Sequence, residues 1–592
     1  MLSRLFNNLV TRIDHRKGWH RLPTPLAVLS LVGIRNRLRR ENLFDTGVPP
    51  HAGPAEVPER YRTARSPDGA WNDLSSPTMG SAGARFGRNA PLKMTFPDTA
   101  NLLEPNPRTI SRELLTRDPF VPATTLNVIA AAWLQFMIRD WFSHGKSPQE
   151  NPFEIPLDTG DPWPEHPMRI LRTRPDPTRT RGDDTAGNPP TYANVESHWW
   201  DGSQLYGSTA ELQAKARSGQ DGKLRIGPDG LVPVDPANKD HPADEPGFWV
   251  GLVMLHSLFV REHNAICDRL KAEHPTWTDE ELFDHARLVN TALIAKIHTV
   301  EWTTGILGHP ALQIGMRANW WGLLGERINR LVGHIGDGEI LSGIVGSNTN
   351  HFGVPYSLTE EFVAVYRMHP LMPDDYAFHA VATGTLIEER EFNRIDGRDA
   401  LDLLDAIAMD DLFYSFGIAH PGAVVLHNFP RHLQFYERED GVIQDLAATD
   451  ILRSRELGVP RYNAFRRMLH MKPYASFAEL TSNTAWQEEL RRVYHDDIEL
   501  VDLTVGMFAE DFPKGFGFSD TAFRIFALMA SRRLNSDRFF TTYFNAETYS
   551  QAGLDWIANN DMSSVLLRHF PSLKPALSGV KNAFAPWNRM VG

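Results

Sequence analysis

The sequence predicts a mainly α-helical protein, and two observations lead to this fold class. Apolar residues recur at three- and four-residue spacing, which is typical of one helix face, in the segments 125–142, 248–270, 282–307, 360–369 and 520–534. Short apolar runs that could form strands are few, and one of them is AVVL at residues 423–426. We therefore expect a helical body with very few short strands.

Two stretches interrupt the helical pattern. Residues 46–92 and 157–195 are rich in Pro, Gly and polar residues, which predicts long extended loops with little regular structure. The chain contains no internal repeat. We interpret residues 1–45 as a basic N-terminal segment and residues 46–592 as a single large domain.

Composition excludes several classes of protein. The 592 residues carry a net charge of −12, which argues against general binding to nucleic acid. Cys267 is the only cysteine, so neither an intrachain disulfide nor a thiolate metal cluster can form. A chain of this kind suits a reducing compartment, and we expect a cytoplasmic location.

The first forty residues combine positive charge with apolar side chains. They contain nine Arg or Lys residues against one acid, Asp14. The apolar run PLAVLSLVGI within them is about half the length needed to cross a bilayer. Two interpretations remain open: a basic segment that associates peripherally with a membrane surface, or a basic arm that packs on an acidic body.

Two short motifs carry residues suited to chemistry. In VYRMHPLMPDD (365–375), the spacing predicts that Tyr366 and His369 lie one helical turn apart, although a single histidine is more often a core residue than a ligand. In ESHWWDGSQLYGS (196–208), Ser197, Asp201 and Ser203 alternate along a loop. Hard oxygen donors of this kind suit Ca²⁺, which accepts irregular geometry.

These motifs occur together with blocks that resemble the animal-type haem peroxidase superfamily, which includes myeloperoxidase and the cyclooxygenases. They are similar in particular to the fatty-acid α-dioxygenases, a family best known from plants. The blocks are GWHRLP (18–23), QFMIRDW (135–141), LFVREHNAICD (258–268), ALIAKIHTVEWT (292–303), MRANWWGLLG (316–325), YRMHPLMPD (366–374), LRSRELGVPRYNAFRR (452–467) and LMASRRLNSDRFFTTYFNAETY (528–549). The resemblance extends over nearly the whole chain and implies the mainly α animal haem peroxidase fold.

The resemblance implies a haem b cofactor and the residues around it. His369 matches the proximal iron ligand, and Tyr366 matches the residue oxidised to a radical. Asp450 matches the partner of the second ring nitrogen of the proximal histidine, and Arg453 is a candidate for a haem propionate. The family members with covalently bound haem have a carboxylate where this chain has Phe248, so we expect non-covalent haem.

The resemblance also implies a substrate and a reaction. His298, Thr303 and Arg533 match the residues that hold a fatty-acid carboxylate, which leaves the α-carbon nearest to Tyr366. The expected reaction adds O₂ to that carbon of a long-chain fatty acid and gives a 2-hydroperoxy acid. A calcium site is implied at Asp140 together with the loop residues Ser197, Trp199 (through its carbonyl), Asp201 and Ser203.

One position departs from the family pattern. Gln135 keeps the register of the distal helix, but Arg139 stands where the superfamily has a distal histidine. Arginine stays protonated and cannot accept a proton from peroxide, whereas it can stabilise negative charge. Three interpretations remain open: slow activation by other oxidants, a base supplied from elsewhere, or haem and lipid binding without turnover. A haem peroxidase or another lipid oxygenase is the alternative activity.

Overall fold

Helices form nearly all of the regular structure, which confirms the mainly α prediction. The computed structural model describes residues 2–47, 56–180, 187–234, 247–328, 338–437 and 441–590. The helices before residue 330 are α1 (Leu2–Lys17), α2 (Thr24–Glu41), α3 (Pro107–Ile110), α4 (Val128–Trp141), α5 (Ser203–Tyr206), α6 (Ala210–Ala216), α7 (Val250–Glu273), α8 (Asp279–Ile297), α9 (Thr303–Ile306) and α10 (Pro310–Trp321).

The second half of the chain is equally helical. Its helices are α11 (Glu339–Ser342), α12 (Glu360–Val365), α13 (Asp399–Ala406), α14 (Met409–Ile418), α15 (Leu446–Glu456), α16 (Tyr462–Met468), α17 (Phe477–Leu480), α18 (Thr484–Val493), α19 (Leu503–Ala509), α20 (Asp520–Ser536), α21 (Ala546–Asn559) and α22 (Met562–His569). None of the described helices combines the length and apolar character needed to cross a membrane.

Three helices predicted from apolar spacing pack against one another at the centre. α4 packs on α7, and α7 packs on α8. The side chain of Asn127 caps the first turn of α4, and a reciprocal capping box of Thr278 and Glu281 starts α8. Such caps satisfy backbone N–H groups that have no partner within the helix. Most side chains of α4 are buried, and the acidic Asp140 is one of them.

Strands are short, as predicted, but they lie at other positions than expected. In the described residues they form three antiparallel pairs: β1 (Phe153–Ile155) with β2 (Met168–Ile170), β3 (Asp375–His379) with β4 (Leu386–Glu391), and β5 (Tyr436–Glu437) with β6 (Ile443–Gln444). The prediction of a strand at 423–426 is wrong, because Ala423 and Leu426 bond to separate loop and helix segments, Val121 and Phe508.

The Pro- and Gly-rich stretches wrap the helical body as extended loops. Within the described residues, single bridges join Phe44 to Arg88, Arg85 to Ala193, and Gly87 to Thr359. The described parts of 46–92 and 157–195 therefore have little regular structure, as predicted, apart from β2 and a short 3₁₀ turn at Glu59–Arg62.

The basic N-terminal segment forms a helical hairpin that is fixed to the body. α1 packs on α2, and α2 packs on α10 and α20. Trp19, between the two helices, is completely buried and donates a hydrogen bond to Asp520 at 3.0 Å. Asp14 forms an ion pair with Arg524 at 2.9 Å. The predicted division between residues 45 and 46 stays a prediction.

Candidate active site

A mostly apolar cavity of about 260 Å³ lies between α4 and the segment that follows α12. We call it the His369 cavity. Its lining residues are Ala131, Leu134, Gln135, Ile138, Gly247, Phe248, Tyr366, Met368, His369, Leu371, Met372, Phe392, Asp396, Leu433, Tyr436 and Leu446. Tyr366, His369 and Gln135, three residues selected from sequence, therefore share one cavity.

Tyr366 and His369 reach this cavity without sharing a helix. The predicted helix over 360–369 ends at Val365, and His369 begins a separate 3₁₀ turn, His369–Leu371. The prediction that the two side chains lie on one helix face is therefore wrong. The break lies in the backbone between them, because Tyr366 (φ −85°, ψ 2°) and Met368 (φ −101°, ψ 40°) do not have α-helical dihedral angles.

His369 is fixed by a carboxylate on one ring nitrogen. Its Nδ1 lies 2.8 Å from Oδ2 of Asp450 on α15, and Arg367 bonds to the other oxygen of the same carboxylate. Burial raises the pKa of Asp450, but the charges of His369 and Arg367 outweigh burial, and the pKa lies below its ordinary value. His369 and Asp450, which the resemblance paired, are thus in contact.

The other ring nitrogen of His369 fits a haem iron. The side chain is 34% exposed, His369 lines the cavity, and Nε2 has no hydrogen-bond partner among the described residues. Imidazole nitrogen is a haem ligand, and a carboxylate on the opposite nitrogen orients it. Phe248 lies in the cavity wall, as does one carboxylate that we did not predict, Asp396.

The α4 wall of the cavity presents one helix face, and Gln135 is its polar member. The Gln135 side chain accepts a hydrogen bond from Nε1 of Trp249 at 2.6 Å and donates one to the carbonyl of Gly247 at 3.3 Å. Arg139 lies one turn further along α4, is half-buried, and is not among the lining residues. Its role at the distal side stays a prediction.

Arg453 is engaged outside the cavity. Its guanidinium donates to Oε2 of Glu456 at 2.5 Å, to Oγ1 of Thr173 at 2.6 Å and to the carbonyl of Leu171 at 3.0 Å. It does not line the cavity. Its predicted role with a haem propionate stays a prediction, and these contacts occupy donors that the role would need.

Arg533 on α20 is a buried cation without an ion-pair partner among the described residues. It is 1% exposed, and its Nε and Nη2 have no hydrogen-bond partner. Its guanidinium instead lies over the rings of Trp141 and Trp200, at 4.3 and 4.6 Å from their centroids. Arg524 on the same helix has two carboxylates. A structural salt bridge therefore does not account for the charge of Arg533 among the described residues.

His298 faces the same aromatic residues as Arg533. Its ring lies edge-on to Trp141 and Trp200, at 5.2 and 5.4 Å between centroids. Burial lowers the pKa of His298 well below its ordinary value, and the charge of Arg533 lowers it further. The imidazole is therefore neutral at neutral pH and can donate one hydrogen bond to an anion beside Arg533.

A π-helical turn brings Thr303 to His298. Residues His298–Trp302 form this turn between α8 and α9, and the backbone N–H of Thr303 bonds to the carbonyl of His298. In an α-helix, residues five apart lie about 140° apart around the axis. Here Oγ1 of Thr303 also donates to the His298 carbonyl at 2.8 Å. The hydroxyl proton is therefore used locally, and the predicted contact of Thr303 with a carboxylate stays a prediction.

Trp141 connects this cluster to Tyr366. Its ring lies 5.0 Å from the Tyr366 ring, and Phe362 likewise contacts both Tyr366 and Arg533. Burial raises the pKa of Tyr366, although the charge of Arg533 acts in the opposite direction. The phenol thus remains protonated and carries a hydrogen atom. The Trp141 indole therefore contacts the cation of Arg533, the neutral imidazole of His298 and the protonated phenol of Tyr366.

The predicted calcium ligands form a second polar cluster. The backbone N–H of Ser203 donates to Oδ1 of Asp140 at 2.6 Å, and its hydroxyl donates to the same oxygen at 3.0 Å. Asp201 is also completely buried. Oδ2 of Asp140 and both carboxylate oxygens of Asp201 have no hydrogen-bond partner. Ser197 accepts from the backbone N–H of Trp199 at 3.2 Å.

Burial disfavours the charged form of both aspartates in this cluster. Burial raises the pKa of Asp140, and the charge of Asp201 raises it further. Burial also raises the pKa of Asp201, which Arg287 opposes from 3.7 Å. Buried carboxylate oxygens without partners are costly unless a cation compensates them. The donor set of two carboxylates, two hydroxyls and a carbonyl fits a hard cation such as Ca²⁺.

Sequence reasoning missed the tryptophans that shape the site. Trp141 and Trp200 hold Arg533, and Trp133 contacts His298. Two of them lie beside residues that we did single out, Asp140 and Asp201. The only sequence signal was this adjacency, because a buried tryptophan is far more often a core residue than a site residue.

The sequence is similar to known proteins over nearly its whole length. The sequence matches the animal haem peroxidase family over residues 64–583. It is 38% identical to an alpha-dioxygenase of Oryza sativa, with 97% of this chain and 94% of the relative covered, and 39% identical to one of Nicotiana tabacum, with 99% and 92% covered. It is also 28% identical to prostaglandin G/H synthase 1 of Oryctolagus cuniculus over 54% of this chain and 48% of the synthase.

Solved structures lead to the same group. The fold superposes on the fatty acid alpha-dioxygenase of Oryza sativa with a TM-score of 0.91 and 35% identity, covering 99% of this chain and 97% of the other. For the Arabidopsis thaliana protein the TM-score is 0.92 at 36% identity, covering 99% and 92%. A peroxidase of Dictyostelium discoideum has the same fold at 20% identity, with a TM-score of 0.65 over 85% of this chain and 96% of that one.

Proposed function

Because this chain belongs to the animal haem peroxidase family, we propose that it is a haem-dependent fatty-acid α-dioxygenase. The observation that carries the proposal is the buried Arg533, which has no ion-pair partner among the described residues and lies one indole away from the buried phenol of Tyr366. A permanent charge in the interior is costly without a partner. A substrate carboxylate would supply that partner and would bring the adjacent carbon to the phenol.

The donors of Arg533 and His298 and the aromatic side chains around them indicate the substrate class. An arginine offers a planar fork suited to a carboxylate, and His298 offers one further N–H. Aromatic side chains around both donors exclude water, which strengthens a charged hydrogen bond. A solved structure of the rice relative was obtained with palmitic acid. We therefore propose a long-chain fatty acid, with Thr303 closing the head-group site.

The reaction uses the phenol oxygen of Tyr366 twice. As a radical, that oxygen removes a hydrogen atom from the α-carbon, so a C–H bond breaks and the O–H bond forms. O₂ adds to the carbon radical, and the resulting peroxyl group takes the hydrogen atom back from Tyr366. The product is a 2-hydroperoxy acid, which can lose CO₂ and water to give an aldehyde one carbon shorter. Anchoring the carboxylate places the α-carbon at the phenol, and this positioning decides where oxygen enters.

Haem is the cofactor implied by the family, and His369 would hold its iron. When bound, haem supplies the oxidising power that removes an electron from Tyr366. Asp450 keeps the imidazole of His369 oriented through its Nδ1. We propose non-covalent binding, in keeping with the apolar Phe248 in the cavity wall.

We also propose that Ca²⁺ binds between Asp140 and the loop of Asp201. Support comes from the three carboxylate oxygens without partners, to which Ser197, Ser203 and the carbonyl of Trp199 add oxygen donors. Asp140 directly precedes Trp141 on α4. Such a cation would therefore stabilise the helix end that carries the aromatic ring beside Arg533.

A peripheral contact with anionic membranes is a further part of the proposal. Phe6 and Leu9 on α1 and Leu26 and Leu29 on α2 are 40 to 56% exposed, in the most basic segment of the chain. Exposed leucines with flanking basic residues suit an interfacial helix. The ion pair of Asp14 with Arg524 fixes this hairpin to the body, which is compatible with the proposed membrane contact through its exposed side.

Product analysis tests the proposed activity. Purified, haem-loaded protein is incubated with palmitate and ¹⁸O₂, and the products are identified by mass spectrometry. We expect 2-hydroperoxypalmitate with two labelled oxygen atoms, together with the aldehyde one carbon shorter. Oxidation of a phenolic dye by peroxide without consumption of palmitate would instead indicate a peroxidase. Binding of haem and palmitate with neither reaction would indicate a non-catalytic homologue.

A further inference from the structure

Trp133 is a completely buried tryptophan of α4 whose indole nitrogen contacts the imidazole of His298. Its Nε1 lies 3.1 Å from Nδ1 of His298. An indole N–H can only donate, so Nδ1 must accept and cannot itself carry a proton. A neutral imidazole then has its proton on Nε2.

The rest of the His298 ring is enclosed by aromatic side chains. Trp302 stacks on it at 4.8 Å with an interplanar angle of 12°, and Trp141 and Trp200 meet it edge-on. No described residue accepts a hydrogen bond from Nε2. The N–H that Trp133 forces onto Nε2 therefore remains available for an incoming ligand in the region of Arg533.

We propose that Trp133 is a positioning residue for substrate recognition, because its hydrogen bond selects the His298 tautomer that presents an N–H to the fatty-acid carboxylate. This inference rests on the proposed function. Without the indole donor, the imidazole can carry its proton on Nδ1 instead. Nε2 would then turn a lone pair toward the carboxylate, so that an attractive contact becomes a repulsive one.

Palmitate binding tests the proposal in a background that cannot turn over. In haem-loaded Tyr366→Phe protein, Trp133→Phe should weaken palmitate binding about tenfold, the loss expected for one hydrogen bond to a charged group. Phenylalanine preserves a ring against Phe136, Phe259 and Phe584, which surround Trp133. The matched control is Trp302→Phe, since Trp302 stacks on the same imidazole but donates to the carbonyl of Ala130. That variant should weaken binding far less.

The His298→Gln background separates an effect of Trp133 on the His298 tautomer from an effect on packing. Glutamine at position 298 can turn its amide to supply an N–H without any tautomer to select. In the His298→Gln background, Trp133→Phe should therefore cause no further loss of palmitate affinity. In the enzyme that retains Tyr366, Trp133→Phe should raise KM for palmitate and leave kcat and haem content nearly unchanged, whereas a folding defect would lower all of them.

Nitrogen NMR of the imidazole gives a readout that does not depend on palmitate. With ¹⁵N-histidine labelling and His298→Gln for assignment, the His298 signals should report Nε2–H in the parent and a mixture of tautomers in Trp133→Phe. Unchanged tautomer signals, or palmitate binding as tight as in the parent, would overturn the inference and leave the proposed function intact. Failure of Tyr366→Phe protein to bind palmitate at all would overturn both.

Discussion

The phenol of Tyr366 packs against Trp141 and Phe526, and its oxygen has no hydrogen-bond partner among the described residues. Replacing it with phenylalanine removes the oxygen that carries the hydrogen atom but leaves ring packing and the His369 ligand in place. We expect Tyr366→Phe to abolish fatty-acid oxygenation while the haem Soret band is unchanged. His369→Ala is the contrasting variant and should lower haem retention itself. Full oxygenation by Tyr366→Phe would contradict the radical mechanism.

Arg533 differs from its neighbour Arg532 in a way that supplies a matched pair. Arg532 donates to the carbonyls of Val354 and Pro355, whereas two nitrogens of Arg533 have no partner. We expect Arg533→Ala to weaken palmitate binding by about 1.5–3 kcal/mol, the range for a hydrogen bond to a charged group. Calorimetry with palmitate and with its uncharged methyl ester measures the difference.

The two controls separate a substrate contact from a structural role. Arg532→Ala should lower thermal stability without a comparable change in palmitate affinity of the folded protein. The methyl ester should lose far less affinity than palmitate in Arg533→Ala. Equal losses for acid and ester would mean that Arg533 is structural.

We propose that Arg139 occupies the position at which the family has a histidine that exchanges a proton with peroxide. Because arginine cannot accept a proton, general acid–base catalysis worth about a hundred- to ten-thousand-fold would then be absent at this position. We expect slow reaction with hydrogen peroxide and a lag before palmitate is consumed. Stopped-flow spectra of Arg139→His should show a faster peroxide reaction and a shorter lag. Wild-type rates as fast as those of the histidine variant would mean that another group acts as the base.

At the scale of the element, the α1–α2 hairpin has a buried side and an exposed side. Deleting residues 1–40 would also remove Trp19 from the interior, so single substitutions are the sharper experiment. We expect Leu9→Glu and Leu29→Glu to reduce co-sedimentation with anionic vesicles, and salt to weaken binding of the wild type. Leu386→Glu, at a 54% exposed leucine of β4, is the control. Equal sedimentation of all variants would exclude a membrane contact through this hairpin.

The π-turn at His298–Trp302 is the element that an apolar pattern could not predict. The apolar residues of α8 and α9 recur at three- and four-residue spacing. This pattern does not distinguish a regular helix from one that contains a single wide turn. The turn closes an i→i+5 hydrogen bond, which brings Thr303 to the carbonyl of His298. Wide turns of this kind occur frequently at functional sites.

At the scale of the whole molecule, calcium would join α4 to the loop that follows residue 196. A ligand that binds only the folded state raises its stability. We expect a calcium chelator to lower the Tm of the wild type, and added Ca²⁺ to restore it. In Asp201→Asn the chelator should have little effect. Asp284→Asn is the control, because Asp284 is also buried but pairs with Arg60 at 2.7 Å. A wild-type Tm that the chelator leaves unchanged would contradict the calcium site.

The helical fold class and the sparse strands could be predicted from the sequence. Apolar spacing places α4, α7 and α20 within a few residues of their observed bounds, whereas the single segment predicted over 282–307 is divided into α8, a π-turn and α9. The resemblance to the α-dioxygenases also pointed to His369, Asp450, His298 and Arg533, because the family's motifs can be matched position by position along the chain.

The contacts between these residues and their protonation depend on the tertiary structure. His369 and Asp450 are 81 positions apart, and the contact depends on how α15 packs behind the 3₁₀ turn at His369. The sequence does not show that the guanidinium of Arg533 is surrounded by the indoles of Trp141 and Trp200 and not by carboxylates. The tautomer of His298 is fixed by an indole 165 positions away. Charge and protonation depend on burial and on neighbours, and both exist only once the chain has folded.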